Sequence, residues 1–288
     1  MGTSPPLSTR LRAKVTRWSS RLTQRLLLPF AREPRPDRWI FVLGCYNSGT
    51  SLLAQILAAH PMVEGLPDEG IFFTDSLPFP EQFGWPRMWI RCLDKVALAP
   101  NDLPLDAVTR IKKQWSLAYP RNAANLVEKS VSNATRIGFL HEHFRPAHFI
   151  AIVRNGYAVA EGIRRRAHPG RYGNPAYGRS YPLDLCAEQW KASDEIVTRE
   201  RSRVDRFLQL RYEDLTADPV RLLKEIAAFL ELPAFPQSVT ERQWSIKNRY
   251  EPILDMNRRS LERLSEQDFE IVERVAGHTL QKYGYHRP

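Results

Sequence analysis

Cysteine is scarce and badly placed for cross-linking. Three residues, Cys45, Cys92 and Cys186, lie far apart in a chain of 288. An odd count with no close Cys/His spacing argues against a disulfide scaffold and a metal-binding module, so no metal cofactor is expected and a reducing compartment is the simple reading. The chain also has no run of about 18 apolar residues, which excludes a spanning helix. Leu26-Leu27-Leu28 is too short for the apolar region of a secretory leader. Acidic residues are nearly missing from the first 36 positions, where eight basic side chains face only Glu33. Seven of the ten net positive charges therefore sit there. The rest of the chain is close to balanced, so no nucleic-acid partner is expected. No internal repeat or low-complexity segment stands out.

What is present describes a globular protein. Hydrophobic residues make up 43% and aromatics 10%, enough for a packed core and too much for disorder. The length suits one α/β domain with insertions. In the basic tail, Leu11, Val15, Trp18, Leu22 and Leu26 fall on one helical face with arginines beside them. Such a helix suits an anionic membrane surface, touched peripherally through residues 10–30; packing on its own domain or on a partner is the plainer reading. Glu33-Pro34-Arg35-Pro36-Asp37 reads as a linker. The expected division is therefore a tail over 1–36 and an α/β domain over 37–288, cytoplasmic and held at the inner face of a membrane.

From Trp39 strand-like and helix-like segments alternate. Trp39–Leu43, His148–Val153 and Phe207–Tyr212 read as strands, the second being a continuous apolar run suited to a sheet covered on both faces. Helices are expected over Gly49–Ala59, Ala134–Phe144, Gly156–Arg166, Pro219–Leu230 and about Leu261–Lys282. Residues 65–104 read as an irregular insertion with short helices, and 168–182 as a mobile loop. The alternation predicts an α/β fold, a P-loop-like parallel sheet with helices on both faces, its ligands at the carboxyl ends of the strands.

The segment Phe41–Leu53 carries the strongest local signal. It reads as a buried strand, a turn bracketed by Gly44 and Gly49, then a helix. The free N–H groups and positive dipole end of such a helix hold an anion, with Ser48, Thr50 and Ser51 adding hydroxyl donors. Thr50 stands where a kinase or ATPase loop has its Lys, which argues against ATP chemistry.

Four pieces in order resemble the sulfotransferases that use 3′-phosphoadenosine 5′-phosphosulfate (PAPS). Asn47-Ser48-Gly49-Thr50-Ser51 resembles their phosphosulfate loop, and Val153-Arg154-Asn155-Gly156 with Gly162 and Arg164-Arg165-Arg166 their 3′-phosphate signature. Glu128-Lys129-Ser130 and Arg211-Tyr212-Glu213-Asp214-Leu215 are similar to two further family segments. The resemblance runs from about Trp39 to Pro233 and is nearest to bacterial, saccharide- and tyrosine-modifying members. It departs at two places: Asn47 replaces the usual basic residue and Gly162 the usual Ser.

The resemblance implies PAPS as donor and a hydroxyl acceptor, a saccharide or glycolipid. Tyr46, Asn47, Ser48, Gly49, Thr50 and Ser51 would hold the 5′ end, and Arg154, Gly162, Arg166 and Tyr212 the 3′-phosphate and base. Lys129 would neutralise the leaving group, and Glu69, preferred over Asp68, would take the acceptor's proton. Each role has a plainer alternative. Arg154 can be a structural ion pair, the arginine triplet a solvated face, Lys129 an exposed cation, Tyr212 a core aromatic, and the two acids loop residues. The aromatics Trp85, Trp89, Tyr172 and Tyr177 can stack on sugar rings or form a minor core, and His141 and His143 read as structural. The departures at Asn47 and Gly162 also permit a catalytically impaired PAPS-binding module with a regulatory role.

Overall fold

The computed structural model describes residues 26–119, 123–174, 176–246 and 249–288. The amphipathic face from Leu11 to Leu22 lies outside the described residues.

Five parallel strands form the central sheet: β1 Arg38–Leu43, β2 Val63–Gly65, β3 Asn125–Glu128, β4 Ala147–Val153 and β5 Phe207–Arg211, in spatial order β2-β3-β1-β4-β5. β1 takes the middle because Trp39 to Leu43 are all buried and apolar. Both its faces must then be covered, as in any parallel sheet with crossover helices. Alternation along the strand divides the work. Ile40 and Val42 point to the side holding Leu53, Ile56 and Leu57 of helix α1 (Thr50–Leu57), while Trp39, Phe41 and Leu43 point to the side holding Trp115 and Phe144. Each such fully buried side chain contributes about 1.5–3 kcal/mol. The expected α/β class, with helices on both faces, is what the chain adopts.

The other helices used below are α2 Leu105–Ser116, α3 Ile137–His143, α4 Gly156–Arg166, α5 Leu183–Glu200, α6 Pro219–Phe229, α7 Asn257–Leu261 and α8 Glu266–Lys282. α4 matches its expected span because Asn155 caps it, its side chain accepting from the Ala158 N–H at 3.2 Å. Two expectations are corrected. The segment expected as one helix over Ala134–Phe144 is a 3-10 turn, Val131–Thr135, followed by α3. The last helix, expected from about Leu261, starts at Glu266, where Ser265 and Asp268 form a reciprocal capping box; Leu261 instead ends α7. In the segment expected as a loop over 168–182, Asn174 donates to the Gly84 carbonyl at 2.8 Å and Gly170 N–H to the Gly178 carbonyl at 2.7 Å. No helix among the described residues is long and apolar enough to cross a membrane.

Candidate active site

The loops after β1, β3 and β4 converge on one cavity of about 610 Å³. Its position follows the rule for open parallel sheets, whose ligands sit beyond the strands' carboxyl ends. Tyr46, Asn47, Gly49, Thr50, Ser51, Asp68, Glu69, Lys129, Arg154, Gly162, Arg166 and Tyr212 all line it. Ser48 does not; it is fully buried beneath the loop.

The loop's shape comes from its backbone. Gly49 sits at φ 96°, and a Cβ there would lie 2.7 Å from the Tyr212 ring, so both conformation and space require glycine. Asn47 is also left-handed, at φ 65°. From Gly49 the chain enters α1 with no side-chain cap, so the helix's first N–H groups have no partner within the helix.

Arg154 follows β4 and is 7% exposed. Its Nε donates to Asn257 Oδ1 at 2.7 Å and its Nη1 to the Asn47 carbonyl at 2.7 Å, both neutral acceptors rather than the carboxylate of an ion pair. Its guanidinium lies 4.3 Å from the Tyr212 ring centroid. Nη2 is buried without a partner among the described residues. Burial lowers the guanidinium's pKa. A cation kept this dry with donors unused is built to meet an anion.

Tyr212 supports this arginine. Its hydroxyl donates to the Leu254 carbonyl at 2.8 Å and accepts from the Met256 N–H at 3.2 Å. Glu213 accepts from the Asn155 N–H at 3.0 Å and from Asn257 Nδ2 at 2.8 Å, which fixes Asn257 to face Arg154. The arginine triplet splits by role. Arg164 grips Asp268, Arg165 pairs with Glu161, and both Arg165 and Arg166 line the cavity. Arg259, Ser260 and Arg263 line it as well, brought there by α7 packing on α4.

The other carboxylates and cations come from β3 and the insertion. Lys129 Nζ lies 2.7 Å from Glu69 Oε1, with both side chains mostly buried. Asp68 Oδ1 accepts from the Glu69 N–H at 2.9 Å, so its carboxylate serves the turn. Glu128 holds that turn to the sheet by accepting from the Gly70 N–H at 2.7 Å and from Ser130 and Asn133. Burial raises the Glu128 pKa.

Glu81 and Arg87, absent from the sequence expectations, also line the cavity. Burial raises the Glu81 pKa, Glu69 nearby adds to the rise, and Arg87 opposes it. Of the aromatics, Tyr172 lines the cavity and is 49% exposed. Trp89 is fully buried in one of the main core clusters, and Trp85 and Tyr177 pack against it, Trp85 on Tyr177 and Tyr181. Phe72 and Phe79 take the cavity wall instead.

The family model described as "Sulfotransferase family" matches residues 39–237. Protein-tyrosine sulfotransferase 1 of Danio rerio is 25% identical over 238 residues, covering 80% of this chain and 61% of that protein. An omega-hydroxy-beta-dihydromenaquinone-9 sulfotransferase of Mycobacterium tuberculosis is 26% identical over 234 residues, covering 78% of this chain and 56% of that protein. An uncharacterized protein of Aquifex aeolicus is 26% identical, over 68% of this chain and 26% of its own length. The chain thus spans less than two thirds of each of these relatives. Among solved structures, the sulfotransferase domain from the curacin biosynthetic pathway superposes with a TM-score of 0.56 at 20% identity, covering 88% of this chain and all of that one.

Proposed function

The chain belongs to the sulfotransferase family, and on that basis we propose that it transfers a sulfuryl group from PAPS to a hydroxyl of a saccharide or glycolipid. The observation that carries the donor assignment is Arg154, buried, charged and with Nη2 unpartnered on the cavity wall. Arg154, Arg166 and the α7 residues Arg259 and Ser260 would hold the 3′-phosphate. The N–H groups and hydroxyls of Thr50 and Ser51 would hold the 5′ end. Bound there, PAPS supplies a sulfuryl group on a phosphate leaving group.

The protein's part is positioning and charge. Glu69 takes the acceptor's proton as the acceptor oxygen bonds to sulfur. Lys129, 2.7 Å from Glu69, neutralises the negative charge gathering on the departing phosphate. Glu128 keeps the two in register by pinning the Asp68–Gly70 turn. The acceptor assignment draws on the wall beside the acids, where Phe72, Phe79 and Tyr172 offer aromatic faces for sugar rings. The named activities of the relatives, on a tyrosine and on a menaquinone derivative, both end in a hydroxyl, and acceptors of those kinds belong in the same screen.

Calorimetric titration with 3′,5′-bisphosphoadenosine (PAP) tests the donor half; no binding at millimolar ligand refutes it. Labelled PAPS offered with saccharide, glycolipid, tyrosyl-peptide and long-chain alcohol acceptors tests the other half. A catalytically impaired, PAPS-binding regulator is the second reading, favoured by Asn47 and Gly162; it requires PAP binding with no labelled product. We also propose a peripheral, cytoplasmic-face membrane contact through residues 10–30. Leu26 and Phe30, at the described end of that segment, are 75% and 82% exposed. Deleting residues 1–36 should weaken binding to anionic vesicles, and unchanged binding refutes the contact.

A further inference from the structure

The two departures from the family pattern meet in space. A Cβ on Gly162 would lie 2.9 Å from Asn47 Cγ and 3.0 Å from its Nδ2. The Asn47 side chain therefore occupies the place that a serine at 162 would claim. With Asn47 placed so, a side chain at 162 would crowd it, and the two departures pack directly against each other. What the pair gives up is a cation at the loop.

A cation stands at that spot from another part of the chain. Arg87 lines the cavity, its Nη1 lies 3.5 Å from Asn47 Oδ1, and its guanidinium sits 5.8 Å from the Tyr46 ring centroid. Its mounting is stiff. The Met88 N–H donates to the Trp85 carbonyl at 3.1 Å, closing a turn with Pro86 second and Arg87, at φ 61°, third. That is the pattern of a type II turn, whose third position favours glycine or asparagine. Trp85 stacks on Tyr181 and Met88 is fully buried, so both ends of the turn are anchored. A long, charged side chain held in a glycine position, its head on the cavity wall, is a strained placement of the kind that clusters at functional sites.

We propose that Arg87 is the cation of the donor loop: it replaces the basic side chain absent at position 47 and holds the transferring sulfuryl oxygens. This rests on the PAPS-dependent reading above. In that reaction the acceptor oxygen bonds to sulfur while the sulfur–oxygen bond to the 5′-phosphate breaks. The electron pair leaves on the phosphate and the acceptor's proton goes to Glu69. Arg87 holds the oxygens that stay on sulfur, so it contacts PAPS but not PAP, which lacks them.

Arg87→Gly tests this without threatening the fold, because glycine suits φ 61° better than arginine does. In the full chain, calorimetry should show the affinity for PAPS falling about 10-fold or more, the loss of one charge-assisted hydrogen bond, with PAP affinity within about 3-fold of wild type. Release of PAP from PAPS should slow about 100-fold, as for loss of one transition-state donor. Ethylguanidinium should restore part of that rate to Arg87→Gly and none to wild type. Unchanged PAPS affinity and rate overturn the proposal alone, as does an equal loss for PAPS and PAP. Failure of the wild-type chain to bind PAP overturns the donor assignment itself, and this inference with it.

Discussion

Replacing Arg154 with Met should cost the protein its preference for nucleotides that carry a 3′-phosphate. Arg154 spends two donors inside the protein, one on Asn257 and one on the Asn47 carbonyl. Nη2, buried and unpartnered, keeps both of its N–H groups. Two charge-assisted hydrogen bonds to a phosphate are together worth about 3–6 kcal/mol at roughly 1.5–3 each. The PAP affinity should therefore fall at least about 100-fold. Met also leaves the Asn47 carbonyl and Asn257 Oδ1 without their donor, which loosens the loop by about 1–3 kcal/mol per group. A control removes that ambiguity. Adenosine 5′-phosphosulfate has the sulfated 5′ end but no 3′-phosphate, so it feels the loosened loop and not the lost grip. The assay is paired calorimetry of both nucleotides on wild type and Arg154→Met, and the decisive quantity is the ratio of the two losses. Equal losses would mean that Arg154 only braces the loop, and the 3′-phosphate assignment would be wrong.

Glu69→Gln should lower the rate of labelled sulfate transfer by at least about 100-fold while leaving PAP affinity within a few-fold, the signature of a lost general base; an unaffected rate would shift the role to Asp68 or Glu81. His148, 4% exposed on β4, has its pKa lowered to about 4 by burial, with Arg38 and Arg206 adding to the effect. A depressed histidine favours the neutral folded form, so its contribution is present above the unfolded pKa near 6.5 and is lost as pH falls toward 4. Urea unfolding at pH 7 and pH 5 should show wild type losing about 2 kcal/mol more than His148→Gln over that interval; parallel losses would show that His148 titrates normally.

How far the sequence alone could reach depended on the range of the interactions. β4 and α4 were readable because their causes are local: a continuous apolar run, then Asn155 as cap and basic residues in the last turn. β2 and β3, with three and four residues, are too short to show a period and exist only because β1 and the connecting helices place them. The long helices α2 and α5 are not among the expected elements either, lying beside the Pro- and Gly-rich stretches that suggested irregular structure. The start of α8 was legible in principle: Ser265 followed three residues later by Asp268 is a capping pattern inside the segment expected as helix from about Leu261.

At the site the same division holds, and it explains which residues were overlooked. Asn47, Gly49, Lys129 and Arg154 follow strand ends, so the order of motifs along the chain already implied their meeting. Arg87 and Glu81 sit in a segment without periodicity, and nothing within several residues of either marks it as functional. What places Arg87 is Trp85 against Tyr181, a contact across the fold. The sequence reading weighed Trp85 as a surface for sugar rings; its ring is instead committed to the base of a turn. The identity of residue 47 therefore says little about the loop's charge by itself. A basic side chain there and an arginine reaching in from residue 87 are two ways to put a cation beside the same oxygens. Only the second leaves room for Asn47 to pack on Gly162. If that exchange is real, introducing Arg at 47 into the wild-type chain should not raise the transfer rate, since the position it would reach already holds a guanidinium; an increase of about 10-fold or more would mean that the cation was missing after all.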